Sequence, residues 1–395
     1  MAVFPAPSVQ RPRRLWRAAF TLVELLVSMV LLILVVAIVL QMSDQTGKIW
    51  RSSAAKIQAF QEARAGFEAM TRKLGQATLN TYYDYYDVKN RPRKSLTGAD
   101  LVNFTPTRYD RISDLHFISG QASTLLQASS KTVVTQTHAV FFQAPLGYSV
   151  SYQRLDNALN SCGYFLQFDD APEMVPDHVS KTPGYQPRFR FRLMELMQRT
   201  EQSGIYDPAA KTPNAWFTDN AATSSRVLAE NVIALVLMPK LSPREDDPKG
   251  TGKGVSIAPN YNYNSRIDLA AANDASWVGA TPAFPPDQFT AYASDGTLAH
   301  ASRHHQLPPT MRVAMIVVDE TSANRLQGTG LAVPAAIDLR ATGLFTDAAN
   351  MDADIQAVED ICNAKTGNLT ANRQRLTYRV FSTEILMREA KWSND

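Results

Sequence analysis

The chain has 395 residues, is 45% hydrophobic and 19% charged, and carries a formal charge of +3. Those proportions exclude wholesale disorder, collagen and coiled coil, and the length fits two or three domains. Four of the 40 basic residues, Arg11, Arg13, Arg14 and Arg17, stand before position 20 with no acid beside them, which leaves 36 against 37 acids elsewhere, and a folded part that reads phosphates would show a basic excess.

After this arginine-rich leader, Phe20 to Leu40 is almost wholly apolar. As a helix it spans roughly 32 Å at about 1.5 Å per residue, enough for a bilayer core of about 30 Å. The flanking arginines keep the N-terminus cytoplasmic. A cleaved secretory signal is shorter, about 7–15 apolar residues, and ends in a small-x-small site; none follows Leu40, and Arg13-Arg14 lacks the rest of a twin-arginine pattern. Glu24 lies inside the apolar run, where a carboxylate costs about 2.5–3.5 kcal/mol. The run holds no lysine, arginine or histidine, so a cation for Glu24 comes from outside it, and the N-terminal amine of an adjacent chain would serve.

The stretch Ala19-Phe20-Thr21-Leu22-Val23-Glu24-Leu25-Leu26-Val27 resembles the class III signal of type IV pilins and type II secretion pseudopilins. The resemblance implies that a membrane-embedded prepilin peptidase cuts between Ala19 and Phe20 and N-methylates Phe20. Glu24 then becomes the fifth mature residue and pairs with the terminal amine of a neighbouring subunit. Ala19 stands where the family usually has glycine. The implied partners are the peptidase, sibling subunits, the inner-membrane assembly platform and membrane lipid. The implied product is a single-pass inner-membrane protein with a periplasmic or extracellular domain, incorporated into a filament.

Beyond Leu40 no proline occurs until Pro92, and Ile57, Phe60, Ala63, Phe67, Met70 and Leu74 recur at helical spacing. The spacing predicts an amphipathic continuation, giving a stem over 20–77 with its transmembrane part at 20–40. Residues 78–395 then form a β-rich domain. Residues 82–110 read as loop, with Tyr82, Tyr83, Tyr85 and Tyr86 beside Lys89, Arg91, Arg93 and Lys94. Aromatics beside basic residues can clamp single-stranded nucleic acid, but Asp84 and Asp87 interrupt the run, so no nucleic acid is expected. Strands are predicted at Leu115–Ser119, Val133–Phe142, Gly163–Phe168, Arg188–Leu193, Arg312–Asp319 and Thr377–Arg388. Phe189, Phe191 and Leu193 alternate with Arg188, Arg190 and Arg192, a half-buried strand with a basic outer face. Val227–Met238 begins helically and ends as a strand. Residues 239–309, rich in Pro, Gly and Asn, read as an irregular insertion that can be removed without loss of the fold.

The order of Leu228–Val232, Pro308–Val313 and Arg379–Ile385 resembles the large minor pseudopilin J and the minor pilin W class, and the enlarged verrucomicrobial cassette protein C family. The expected fold is therefore α+β and pilin-like: a long N-terminal helix packed on antiparallel sheet, with large loop insertions. The expected function is a minor structural subunit of a type IV pilus or secretion pseudopilus. A membrane-anchored adhesin that uses 239–309 is the alternative.

No enzyme, cofactor or metal site is expected. No G-x-S-x-G occurs. The histidines are His116, His138, His178, His300, His304 and His305; His300 and His304 have i, i+4 spacing but no H-E-x-x-H, and Pro308-Pro309 follows. Asp352, Asp354, Glu359 and Asp360 read as an acidic helix face, without EF-hand spacing for calcium. Cys162 and Cys362 are too few for a disulfide scaffold or a multi-cysteine zinc site. In an oxidising compartment they would form one bridge or remain two buried thiols.

Overall fold

The computed structural model describes residues 21–390, apart from 90, 128–133, 153, 208–211, 222, 242–256, 267–304, 327–329, 331 and 367–374. Ala19, Phe20, His300 and His304 lie outside the described residues, as does most of 239–309. The architecture is α+β, with antiparallel sheets and a long N-terminal helix, α1, over Leu22–Leu74. Compactness divides the chain into Met1–Ala55 and Lys56–Asp395, a boundary inside α1.

In the first unit the Leu22–Leu40 part of α1 is apolar all round and not along one stripe. Every large apolar residue from Leu22 to Leu40 is exposed. The stretch is long and apolar enough to cross a membrane.

The second unit holds eleven described strands, β1 to β11 in chain order: Tyr82–Tyr86, Arg108–Ile112, Ile118–Gln121, His138–Pro145, Leu159–Asp169, Arg190–Met197, Ser225–Glu230, Val232–Lys240, Tyr263–Asn264, Thr310–Val318 and Tyr378–Leu386. They form a six-stranded sheet in the order β7-β6-β5-β4-β3-β9, a three-stranded sheet β11-β10-β8, and a separate ribbon β1-β2. Asn231, at φ 61°, links β7 to β8 with a single residue and carries the chain from one sheet to the other. Asparagine tolerates that left-handed backbone better than most side chains.

Two cores flank the six-stranded sheet. One gathers Ala63, Phe67, Met70 and Leu74 of α1 with Phe142, Tyr164, Leu166 and Phe191 and with the apolar residues of β8 and β10. The other gathers Ile118, Leu125, Phe141, Phe165, Leu196, Trp216 and Phe217. Gly163 serves this second core. A Cβ there would meet the Phe141 ring at 2.2 Å, and that ring stacks on Phe217 at 4.2 Å.

Four expectations change. Residues 82–110 are not all loop, because β1 pairs with β2 across the intervening residues. Val227–Met238 has no helical start; it is the end of β7 and most of β8. The stem stripe is shorter than predicted: Ile57 is 59% exposed and Phe60 is half-buried, with the Arg379 guanidinium 5.7 Å from its ring. Finally, 239–309 is not a removable insertion. Ile257, Ala258, Tyr261 and Tyr263 within it are fully buried, and β9 pairs with β3. Proline and asparagine conceal these core residues from a composition reading, because two paired residues are too few to show alternation.

Candidate functional site

The start of α1 places the residues that sequence singles out. The Thr21 backbone N–H and hydroxyl donate to Glu24 Oε2 at 3.0 and 3.1 Å, and the Glu24 N–H donates to Thr21 Oγ1 at 3.2 Å. This is a reciprocal capping box, and a carboxylate suits the positive end of the helix dipole. Thr21 thus supplies hydrogen bonds to Glu24 from within the run. Among the described residues no cation pairs with Glu24.

A second carboxylate in an apolar setting ties α1 to the sheet. Glu195 of β6 is fully buried. The Lys73 ammonium and the Tyr164 hydroxyl both donate to its Oε1 at 2.7 Å. Arg226 Nε and Nη2 donate to its Oε2 at 2.8 and 2.5 Å. Strand register sets this up, since Tyr164 and Arg226 are the cross-strand partners of Glu195 on β5 and β7. Burial pushes the Glu195 carboxyl up, but the bonds from Lys73, Tyr164 and Arg226 outweigh it and hold the group below the usual carboxylate range. Burial first, then the Glu195 charge, pushes Tyr164 well above its ordinary value.

Arg190 and Arg192 do not form a basic outer face. They are 6% and 3% exposed. Arg190 grips Glu320 with two nitrogens at 2.6 and 3.1 Å and reaches Asn231 Oδ1 at 3.0 Å. Arg192 donates to Asp169 Oδ1 at 2.8 Å and to Glu230 Oε1 at 3.2 Å. Only Arg188 keeps a mostly exposed side chain. The reason is burial on both faces of β6: the alternation that reads as inside against outside is apolar core against ion-paired core. Beside this network a groove of about 510 Å³ runs between α1 and β7, floored by Ala63, Gly66 and Leu228.

His116 and His138 are fully buried. His138 Nδ1 accepts the Leu237 N–H at 3.0 Å, which leaves Nε2–H to donate to the Phe345 carbonyl at 3.1 Å. His116 Nδ1 accepts the Trp216 indole N–H at 3.3 Å, and its Nε2 faces Asn264 Oδ1 at 2.9 Å. Both rings are therefore neutral. His178 is exposed and His305 is buried.

The two cysteines are free thiols, each fully buried. Burial foremost pushes both up to about 12. The bridge left open by sequence is not formed here. On the acidic helix Met351–Cys362, Asp352 pairs with Arg312 at 2.5 Å and Asp354 accepts the Phe345 N–H at 2.8 Å. Asp360, just before its end, pairs with Lys365 at 2.9 Å. Among the described residues no three His, Cys, Asp or Glu side chains gather as a metal would need.

Sequence reasoning overlooked Glu195 and Lys73. The signal was present: Glu195 is a lone acid between Met194 and Leu196, as Glu24 is a lone acid between Val23 and Leu25. No protein-family model, curated protein or solved structure matches the chain.

Proposed function

We propose that this chain is a prepilin-type structural subunit, cut between Ala19 and Phe20, N-methylated at Phe20, and assembled as a minor component of a type IV pilus or secretion pseudopilus. It acts as the peptidase's substrate and not as an enzyme. The observation that carries the reading is the N-terminal constellation: arginines, Ala19-Phe20-Thr21, an acid at Glu24, then an apolar run that continues as one helix to Leu74. The lower part of that helix lies on antiparallel sheet, the arrangement such subunits need to carry a soluble domain on a membrane stem. A carboxylate near the start of a spanning segment, with no cation beside it among the described residues, also favours a docking role, because a cation brought by a neighbouring subunit would relieve its cost. The anchor holds the protein in the inner membrane, N-terminus inside, until extraction into the filament.

Mass spectrometry of the N-terminal peptide from cells with active prepilin peptidase tests the reading. The expected peptide begins at N-methyl-Phe20, and Ala19→Gly leaves processing undiminished. An intact Met1, or a cut after Leu40, overturns it.

A further inference from the structure

The tyrosine run at 82–86 has no role in the filament reading. Strand register sets Tyr83 opposite Arg111 and Tyr85 opposite Tyr109, on one face of the β1-β2 ribbon. The other face carries Tyr86 and Ile112, both buried, which anchor the ribbon to the domain. On the outer face Tyr83, Tyr85 and Tyr109 are 58%, 48% and 60% exposed. Their rings form a continuous set: Tyr109 lies 5.1 Å from Tyr83, nearly parallel at 19°, and 5.1 Å from Tyr85. Scattered exposed aromatics need no explanation, but a contiguous group on one face marks a contact surface.

We infer that this ring platform binds an uncharged polysaccharide built of pyranose rings. Charge selects the class first. Over 82–114 six basic residues face five acids, and a surplus of one is too small to hold a polyanion. Several of these charges also close on one another. Arg91 bonds Asp87 and Asp100 at 2.9 and 3.1 Å, Lys94 pairs with Asp114, and Asp84 accepts the N–H groups of Tyr85 and Lys94.

The make-up of the face selects next. The outward positions carry three phenols and Arg111, with no aliphatic side chain among them. A protein anchor is best seated in a desolvated pocket with apolar surroundings that exclude water. A pyranose asks for something different. Its axial C–H bonds form a flat, weakly positive patch that sits on the negative face of an aromatic ring. Its equatorial hydroxyls project at the edge, where phenol hydroxyls and a guanidinium can meet them. The inference does not depend on the filament reading; it holds for any anchored form of this chain.

Co-sedimentation of the full chain in detergent micelles with insoluble cellulose, chitin and starch tests it, with heparin beads as the polyanion control. The expected result is retention by at least one uncharged polysaccharide, unaffected by salt. Tyr109→Ala and Tyr83→Ala should each weaken it about tenfold, and Tyr83→Trp should keep it. Both positions are exposed, so thermal unfolding should be unchanged, and Tyr83→Trp reports on the ring independently of the fold. Absence of retention on all three polysaccharides overturns the inference. So does retention that Tyr109→Ala leaves intact, or retention confined to heparin. Self-association abolished by Tyr109→Ala, without sugar retention, would assign the face to a second copy of this chain.

Discussion

The two stretches of α1 contrast most clearly. From Leu22 to Leu40 every large apolar side chain is exposed, whereas Ala63, Phe67, Met70 and Leu74 are buried. Both are helical, for different reasons. The first is apolar on every side, so only a uniformly apolar medium satisfies it. The second is apolar along one stripe, and the sheet beneath satisfies that stripe. The lone carboxylates divide in the same way. Glu24 has hydrogen bonds from Thr21 and no described cation, while Glu195 has a lysine, an arginine and a tyrosine. One carboxylate is complete within the folded domain, and the other has no cation among the described residues.

The largest effect should come from breaking the packed stripe. Phe67→Asp puts a charge under the Phe381 ring, 5.9 Å away, in the main core. It should cost more than about 4 kcal/mol and unfold or aggregate the domain. Thermal unfolding of the full chain in detergent measures this, and a variant as stable as the parent would mean the stripe is not core. Glu195→Ala should come next, at about 3–5 kcal/mol, because it strands the Lys73 ammonium against the sheet. Adding Lys73→Met should recover much of that loss in a double-mutant cycle; without recovery, Lys73 does not act through Glu195.

Acid should weaken the same unit. Burial pushes His138 down to about 4, and the bond to the Phe345 carbonyl only partly opposes it. An unfolded histidine titrates near 6.5, so the folded state binds fewer protons between those values. Stability is therefore whole above about pH 6.5 and falls as pH drops toward 4, by about 3 kcal/mol from His138 alone. His116 is shifted in the same direction by burial, and so adds to the loss. Unfolding temperatures measured from pH 7 to pH 4.5 should show the decline, and His138→Gln should flatten part of it. A flat profile in the parent would contradict neutral buried rings.

The smallest effect on folding should come from Glu24→Val. It leaves the Lys56–Asp395 unit unchanged and inserts at least as well, since it removes a carboxylate from the apolar run. Its loss should appear only in assembly, as reduced recovery in a filament pull-down. Recovery at the parent's level would remove the pairing argument.

The helix was legible because its signals are local and long. An apolar run, a stripe at 57–74 and the absence of proline before Pro92 mark nearly the whole of Leu22–Leu74. The strands at Gly163–Phe168, Arg312–Asp319 and Thr377–Arg388 were legible for their β-branched and aromatic residues. The tyrosine ribbon was not, because β1 and β2 are five residues each and separated by helical turns and loop. Tyr261 and Tyr263 were hidden in a Pro- and Asn-rich segment, and nothing local announces that β9 will close on β3.

By itself, then, the sequence determined the properties that depend on neighbours along the chain. These are an apolar helix able to cross a membrane, the Thr21-x-x-Glu24 cap, and an α+β chain with antiparallel strands. Only the tertiary structure decided which charges are buried. Arg190 and Arg192 look like an exposed strand face because alternation reports two sides and not what covers each, and Glu195 falls on the apolar side with no local sign of its partners. The cover comes from Lys73, Asp169, Arg226, Glu230 and Glu320, between 23 and 130 positions away in sequence. A buried charge is tolerable only when such distant partners arrive with the right geometry, and the fold supplies them.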